Sequence, residues 1–392
     1  MRSLSMPLSL LLVGCATASG VARESPAGVP PSPPDAEAAP AVTAPTETSP
    51  EPEVEPGIVD PRAFMSFRQI WKVIEDSPRR YNVVDGVPGT YTNQVWPVGD
   101  APTASFRVVV DSSGERTVAS AEPLPAASQR RLDVAEEAFR ARRFKEAEEG
   151  YRSVLKRHPD HFPVQLVLGD ALLFQGRSAE ALAAYERAAT LAPRSYSAWF
   201  FQASALLRLE RFDEAADRYA RALSLRPSWP SILQAIESNG RHIGRQVAPT
   251  ILKPRARAYL DKDQIFVEAD PNSFAWMAHA VCKAMWLGET ELRTRRVGTD
   301  THGFTYLEEG ECLGVLLNTH RNVREEQPDP ALDRALQIAE EGFLAELISY
   351  EILSRVVPMA IPVLDEAMLE RLHTFVERYV LIPTQAEDAP SR

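Results

Sequence analysis

The 392-residue chain lacks a positive charge excess, a long apolar run and the signature loops of common enzymes. Its net charge of −11 argues against nucleic-acid binding, because that function needs a basic face to displace counterions. No stretch reaches the roughly 20 apolar residues of a membrane-spanning helix. A Walker A loop, GxSxG, HExxH and a dinucleotide fingerprint are all missing, so the sequence points to no cofactor and no catalytic residue.

One of only three cysteines ends a short apolar run near the start of the chain. Residues 8–13 are too few to span a bilayer but suit the core of a secretory signal peptide, here assigned to residues 1–14. Leu12-Val13-Gly14-Cys15 resembles the lipobox of bacterial lipoproteins. The resemblance implies cleavage before Cys15, acylation of its thiol and stable membrane anchoring. Ala16 in place of Asp implies an outer-membrane lipoprotein on the periplasmic or surface side.

Residues 15–58 are rich in proline, alanine and glutamate. Such a composition cannot bury enough apolar surface to offset chain entropy, so we expect a disordered tether. Residues 59–126 read as a small α+β unit, with one amphipathic helix and a hairpin whose first strand carries alternating Phe106, Val108 and Val110.

A 34-residue repeat gives the strongest fold signal. Alanine recurs at 147, 181 and 215, tyrosine at 151, 185 and 219, and proline at 159, 193 and 227. The pattern resembles the tetratricopeptide repeat (TPR), in which each unit is a pair of antiparallel helices. The resemblance covers residues 128–229, and residues 230–245 add a capping helix.

The resemblance implies a partner groove on the concave face, formed by the first helix of each pair and open to a protein or peptide. Some of the apolar members could instead pack against neighbouring domains. The candidate groove residues are Glu136, Phe139, Arg140, Leu166, Asp170, Leu173, Phe174, Phe200, Ser204, Leu207 and Arg208.

Residues 246–383 resemble no family and read as an α-rich (α+β) domain, followed by a disordered tail over 384–392. A strand is predicted at 264–269. Helices are predicted to open at Asp270-Pro271, Asp329-Pro330 and Pro362. The acidic cluster Glu308, Glu309 and Glu311 is expected to be a solvated face.

Once Cys15 is acylated, Cys282 and Cys312 remain as an even pair in an oxidising compartment, which favours a disulfide. Buried free thiols stay open as an alternative. Two further alternatives are a zinc site that adds His279 and His320, and a Cys/His nucleophilic pair. The zinc spacing matches no established pattern, and no flanking motif supports the nucleophile.

The sequence thus predicts a mainly α protein, a TPR solenoid between a small α+β unit and an α-rich domain. Its expected function is that of a membrane-anchored, non-enzymatic scaffold for protein–protein interactions in a bacterial envelope assembly. The alternative is an enzyme or small-molecule binder in the C-terminal domain, with the repeats recruiting partners.

Overall fold

The computed structural model describes residues 64–384, apart from 90, 100–105 and 228. The predicted signal peptide, Cys15, the tether and the tail therefore lie outside the described residues. The fold is mainly helical with small sheets, which confirms the predicted fold class. No helix in the described part of the chain is long and apolar enough to cross a membrane.

The described segment before the repeats contains two helices and three strands. Ser66 caps the first helix in a capping box with Gln69, and Gly114 takes a positive φ of 90° in the hairpin turn. The hairpin confirms the strands predicted around Val108. The elements are α1 (Phe67–Asp76), β1 (Arg80–Asp85), α2 (Thr92–Val95), β2 (Phe106–Val110) and β3 (Arg116–Ser120).

Three antiparallel helix pairs and a capping helix follow. The helices are α3 (Ala126–Arg140), α4 (Phe144–Leu155), α5 (Phe162–Phe174), α6 (Ser178–Leu191), α7 (Tyr196–Arg208), α8 (Phe212–Leu225) and α9 (Pro230–Ile243). The repeated alanines at 147, 181 and 215 are completely buried, and the repeated tyrosines are at most 1% exposed. A Cβ built on Gly169 would lie 2.3 Å from the Tyr185 ring, so this glycine permits the close approach of α5 and α6.

The turn inside each pair also recurs with the period of the repeat. Arg142, Gly176 and Glu210 all adopt a left-handed backbone, with φ of 59°, 79° and 58°. The next residue is an arginine in every repeat, and it pairs with a glutamate three positions on, as Arg177 does with Glu180. The 34-residue period therefore appears in the backbone conformation of the turns as well as in the buried alanines and tyrosines.

The remaining elements form the C-terminal region. They are β4 (Arg245–Val247), β5 (Ala256–Asp261), β6 (Gln264–Ala269), α10 (Phe274–Gly288), α11 (Thr290–Val297), α12 (Tyr306–Val323), α13 (Pro330–Glu340), α14 (Leu344–Ile348), α15 (Ser354–Val356), α16 (Glu366–Phe375) and β7 (Leu381–Pro383). Two π-helical turns, Ser349–Leu353 and Val376–Val380, follow α14 and α16.

The predicted strand at 264–269 is confirmed as β6, and Asp329 caps α13 as expected. Two predicted helix starts are wrong. The first of these helices begins at Phe274, because Asp270 and Pro271 form a turn in which the Asp270 carboxylate accepts from the Asn272 amide. The last begins at Glu366, because Asp365 supplies the N-cap after a short 3₁₀ turn around Pro362.

The described residues of the predicted unit over 59–126 pack in two different places. Strand β1 pairs in parallel with β6, and β5 pairs with the other edge of β6, which gives the sheet order β1-β6-β5. Helix α1 packs on α10, so residues 64–99 complete the C-terminal region. The hairpin packs elsewhere, with the Phe106 ring 6.5 Å from the Tyr196 ring of α7. The repeat array is therefore inserted between two strands of one sheet.

Candidate functional site

The predicted groove residues divide into covered and accessible positions. Four lie inside the array: Leu166, Asp170, Leu173 and Leu207. The Asp170 carboxylate accepts a hydrogen bond of 2.7 Å from the Tyr185 hydroxyl of the adjacent helix, which offsets part of the cost of its burial. Half-buried positions are Glu136, Phe139, Phe174, Phe200 and Ser204, and exposed positions are Arg140 and Arg208. The accessible part of the groove is thus smaller than the repeat pattern implies.

Arg140, Phe174 and Arg208 occupy the same position in successive repeats. Phe174 belongs to a half-buried aromatic cluster: its ring stacks on Phe144 at 5.0 Å and meets Phe139 edge-on at 5.6 Å. The repeat register thus places an exposed arginine one repeat before Phe174 and another one repeat after it. Aromatic and arginine side chains are enriched where proteins contact partners.

A second candidate site is a cluster of buried charges between α10 and α12. The Lys283 ammonium donates to Glu308 and, at 2.8 Å, to Glu309, which also accepts from the Trp96 indole at 3.2 Å. One turn on, Glu311 is fully buried. This arrangement corrects the expectation of a solvated acidic face, because each carboxylate has cationic or N–H partners that offset its desolvation.

Glu311 is satisfied from three elements. It accepts from the Trp286 indole of α10 at 3.0 Å, from Arg296 of α11 at 2.7 Å and from the Met65 backbone amide at 2.8 Å. This carboxylate therefore ties the segment before α1 to two helices that lie beyond the whole repeat array in the chain.

Mutual pairing keeps Lys283 and Glu308 in their charged forms. Burial acts to lower the pKa of Lys283, but Glu308 and Glu309 outweigh it and hold that pKa above its ordinary value. Burial acts to raise the pKa of Glu308, but Lys283 and His302 outweigh it and hold that pKa below its ordinary value. Both groups stay charged at neutral pH.

His279 stands apart from this pairing. Its ring is completely buried, meets Trp276 edge-on at 5.4 Å, and has no hydrogen-bond partner on either nitrogen among the described residues. Burial lowers the pKa of His279 to about 3, and the Lys283 charge adds to the decrease. The imidazole is therefore neutral. It lines a cavity of about 90 Å³ together with Lys283 and His302, large enough for a few heavy atoms.

Cys282 and Cys312 are joined by a disulfide, with their Cα atoms 5.4 Å apart. It links α10 to α12 directly beside Lys283 and the glutamates, so it fixes the helices that carry the charge cluster. The zinc alternative is wrong in this structure. The disulfide uses both sulfurs, and His320 pairs with Asp333 at 2.9 Å, away from His279. The disulfide equally removes the nucleophilic thiol of a Cys/His pair.

The tetratricopeptide repeat family model matches residues 132–193 and 166–230. These are the residues of the three helix pairs. The chain contains tetratricopeptide repeats. The match covers about a quarter of the sequence, and the C-terminal region lies beyond it.

Among solved structures, the chain is similar to the Arabidopsis OM64 TPR domain, with 20% identity over 30% of this chain and 97% of that one, and a TM-score of 0.29. It is also similar to the first TPR domain of human RPAP3, with 17% identity, 30% and 91% coverage, and a TM-score of 0.29. The Yersinia enterocolitica type III secretion chaperone SycD, in complex with a peptide of the translocator YopD, gives 15% identity, 31% and 92% coverage, and a TM-score of 0.28. No curated protein matches the sequence.

Sequence reasoning found the TPR array but missed most partners in the charge cluster. Trp96, His302 and Arg296 carry no motif, and they meet the glutamates only through the fold. A usable signal was present in α12, where Cys312 directly follows Glu308, Glu309 and Glu311. A solvated helical face does not usually carry a cysteine that pairs in the core.

Proposed function

We propose that this chain is a membrane-anchored adaptor whose tetratricopeptide repeats hold a protein or peptide partner in a bacterial envelope assembly. The observation that carries the proposal is the TPR array with an accessible aromatic and basic surface at Arg140, Phe174 and Arg208. TPR arrays are interaction modules, and stacked repeats offer an extended concave surface for this purpose.

The chemistry of the accessible surface narrows the partner. Arg140 and Arg208 are exposed, and the Phe139–Phe144–Phe174 cluster is half-buried. A segment that places an apolar side chain on the phenylalanines and carboxylates near the guanidiniums would be complementary. We therefore expect a partner segment with acidic residues on both sides of an apolar anchor.

Anchoring rests on the lipobox-like Leu12-Val13-Gly14-Cys15, which lies outside the described residues. The proposal assigns acylated Cys15 to the outer membrane and the proline-rich residues 15–58 to a tether. The Cys282–Cys312 disulfide supports an exported location, because disulfides persist mainly in oxidising compartments.

The groove is tested by site-specific photo-cross-linking in the native bacterium. A photoreactive phenylalanine analogue replaces Arg140 or Arg208 in two strains and Glu186 in a third. Glu186 is the matched control, because it is equally exposed but lies on α6, a second helix. We expect one protein to be cross-linked from both groove positions and not from position 186.

The captured protein is then tested with purified components. The double variant Arg140→Glu, Arg208→Glu should weaken its binding by at least about tenfold and reduce the salt dependence, since two charge pairs are reversed. Binding that is unchanged in this variant, with its circular dichroism also unchanged, would contradict the groove proposal. Retention of the adaptor in the membrane fraction tests the anchor separately.

A small-molecule site in the C-terminal region is a second candidate, favoured by the cavity that His279 lines, since neither nitrogen of this ring has a partner among the described residues. A polar molecule of a few heavy atoms could form a hydrogen bond with one of the two nitrogens. Ligand-observed NMR with small amides and carboxylic acids tests this, with His279→Phe as the comparison. Binding by the wild type that the variant loses supports the site, and equal signals for both proteins reject it.

A further inference from the structure

Three ligand-type side chains meet where the TPR array contacts the C-terminal region. Asp217 lies on α8, the second helix of repeat three, while His373 lies on α16 and Glu377 in the π-helical turn that follows. One nitrogen or oxygen from each lies within 4.8 Å of the others. The three donors thus come from the TPR array and from the C-terminal region.

Their separations are too long for direct hydrogen bonds. His373 Nε2 lies 3.8 Å from Asp217 Oδ1 and 3.9 Å from Glu377 Oε2. Ligands bound to tetrahedral zinc at about 2.0–2.1 Å stand roughly 3.4 Å apart. The imidazole nitrogen therefore lies about half an ångström further from each carboxylate oxygen than in a tetrahedral zinc site, and all three donor atoms lie within 4.8 Å of one another.

The nearby arginines do not neutralise all the negative charge of the three side chains. Arg218 pairs with the second oxygen of Asp217, and the neighbouring Arg221 is paired with Glu370 at 2.8 Å. Among the described residues, no lysine or arginine lies within ion-pair distance of Glu377. His373 is 16% exposed, and both carboxylates are about half exposed, so an ion could enter from solvent.

The backbone at this place is unusual as well. The π-helical turn Val376–Val380 begins between His373 and Glu377. Turns of this type are rare and concentrate at functional sites.

We propose that Asp217, His373 and Glu377 bind one divalent transition-metal ion, with zinc as the best fit. One imidazole and two carboxylates suit zinc, and solvent would complete the coordination. The ion clamps the third repeat to α16 and so sets the orientation of the TPR array relative to the C-terminal region.

The test uses the full chain with its disulfide intact, stripped with EDTA. Zinc binding is measured by calorimetry, and cobalt is used as a spectroscopic probe of tetrahedral coordination. Asp217→Asn, His373→Gln and Glu377→Gln remove one ligand each. Glu370→Gln is the matched control, because it removes a carboxylate from the same helix and the same contact with α8 but not from the site.

We expect the wild type and Glu370→Gln to bind one ion per chain, with a cobalt spectrum and a zinc-dependent rise in Tm. Each ligand variant should weaken binding by at least about tenfold and lose the cobalt spectrum, since loss of even an outer-shell partner typically costs 10–100-fold. If His373→Gln does not fold, the two carboxylate variants decide, because their side chains are half exposed. Absence of zinc binding by the wild type, or undiminished binding by the ligand variants, would overturn the proposal.

Discussion

Replacing His279 with phenylalanine should make the protein less sensitive to acid. The folded state keeps this imidazole neutral, because burial lowers its pKa to about 3 from an ordinary value of 6.5. The unfolded chain binds a proton there once the pH falls below about 6.5. Acidification therefore favours unfolding of the wild type through this residue, and the stability it loses is lost between pH 6.5 and pH 3.

The size of the effect follows from linkage. Each pH unit in that window changes the free energy of unfolding by about 1.4 kcal/mol per site. Between pH 7.5 and pH 4.5 the His279 contribution is about 2.6 kcal/mol. Phenylalanine keeps a planar ring between Trp96 and Trp276 but takes up no proton. Any packing cost of the substitution is independent of pH, so it does not enter the comparison.

The assay is urea unfolding at several pH values with the disulfide intact, followed by tryptophan fluorescence. Trp96 and Trp276 lie 5.9 and 5.4 Å from the His279 ring, so they report on the site. His279→Phe should lose about 2.6 kcal/mol less than the wild type over this range. His242→Phe, at an exposed position, should follow the wild type. Parallel curves for the wild type and His279→Phe would refute the reasoning.

Four further predictions test the core and the anchor. Replacing Cys282 and Cys312 with alanine should cost about 3–4 kcal/mol by releasing a 30-residue loop; an unchanged urea midpoint would contradict this. Ala181→Trp should cost at least about 3 kcal/mol, since position 181 is fully buried between helices, and a native Tm would show that the contact is absent. Glu311→Ala should cost about 3–5 kcal/mol by leaving buried N–H groups unpaired, whereas Glu311→Gln should be milder; equal losses would argue against pairing. Cys15→Ala should abolish labelled-palmitate incorporation and release the protein from membranes, and equal labelling would sink the lipoprotein proposal.

The sequence predicted the TPR array because the contacts that build a repeat are local. The alanine and tyrosine of each second helix pack against a first helix of the same repeat, so a regular period in the sequence carries the fold directly. Caps such as Asp329 and the strand at 264–269 were predictable for the same reason, since a few neighbouring residues decide them. Cysteine parity likewise pointed to the pair at 282 and 312.

Only the tertiary structure decided which surfaces are buried. Strand β1 pairs with β6, which lies beyond the whole repeat array in the chain. The residue pattern of neither strand predicts which strand it pairs with. The sequence predicted a solvated face for the glutamates of α12. In the structure, hydrogen bonds from Lys283 of α10 and from Trp96, which precedes the array, offset the cost of burying them. The repeat pattern predicted Leu173 and Asp170 in the groove, but both are buried by neighbouring helices. Burial of a polar group depends on partners brought from distant parts of the chain, and a local pattern does not encode those partners.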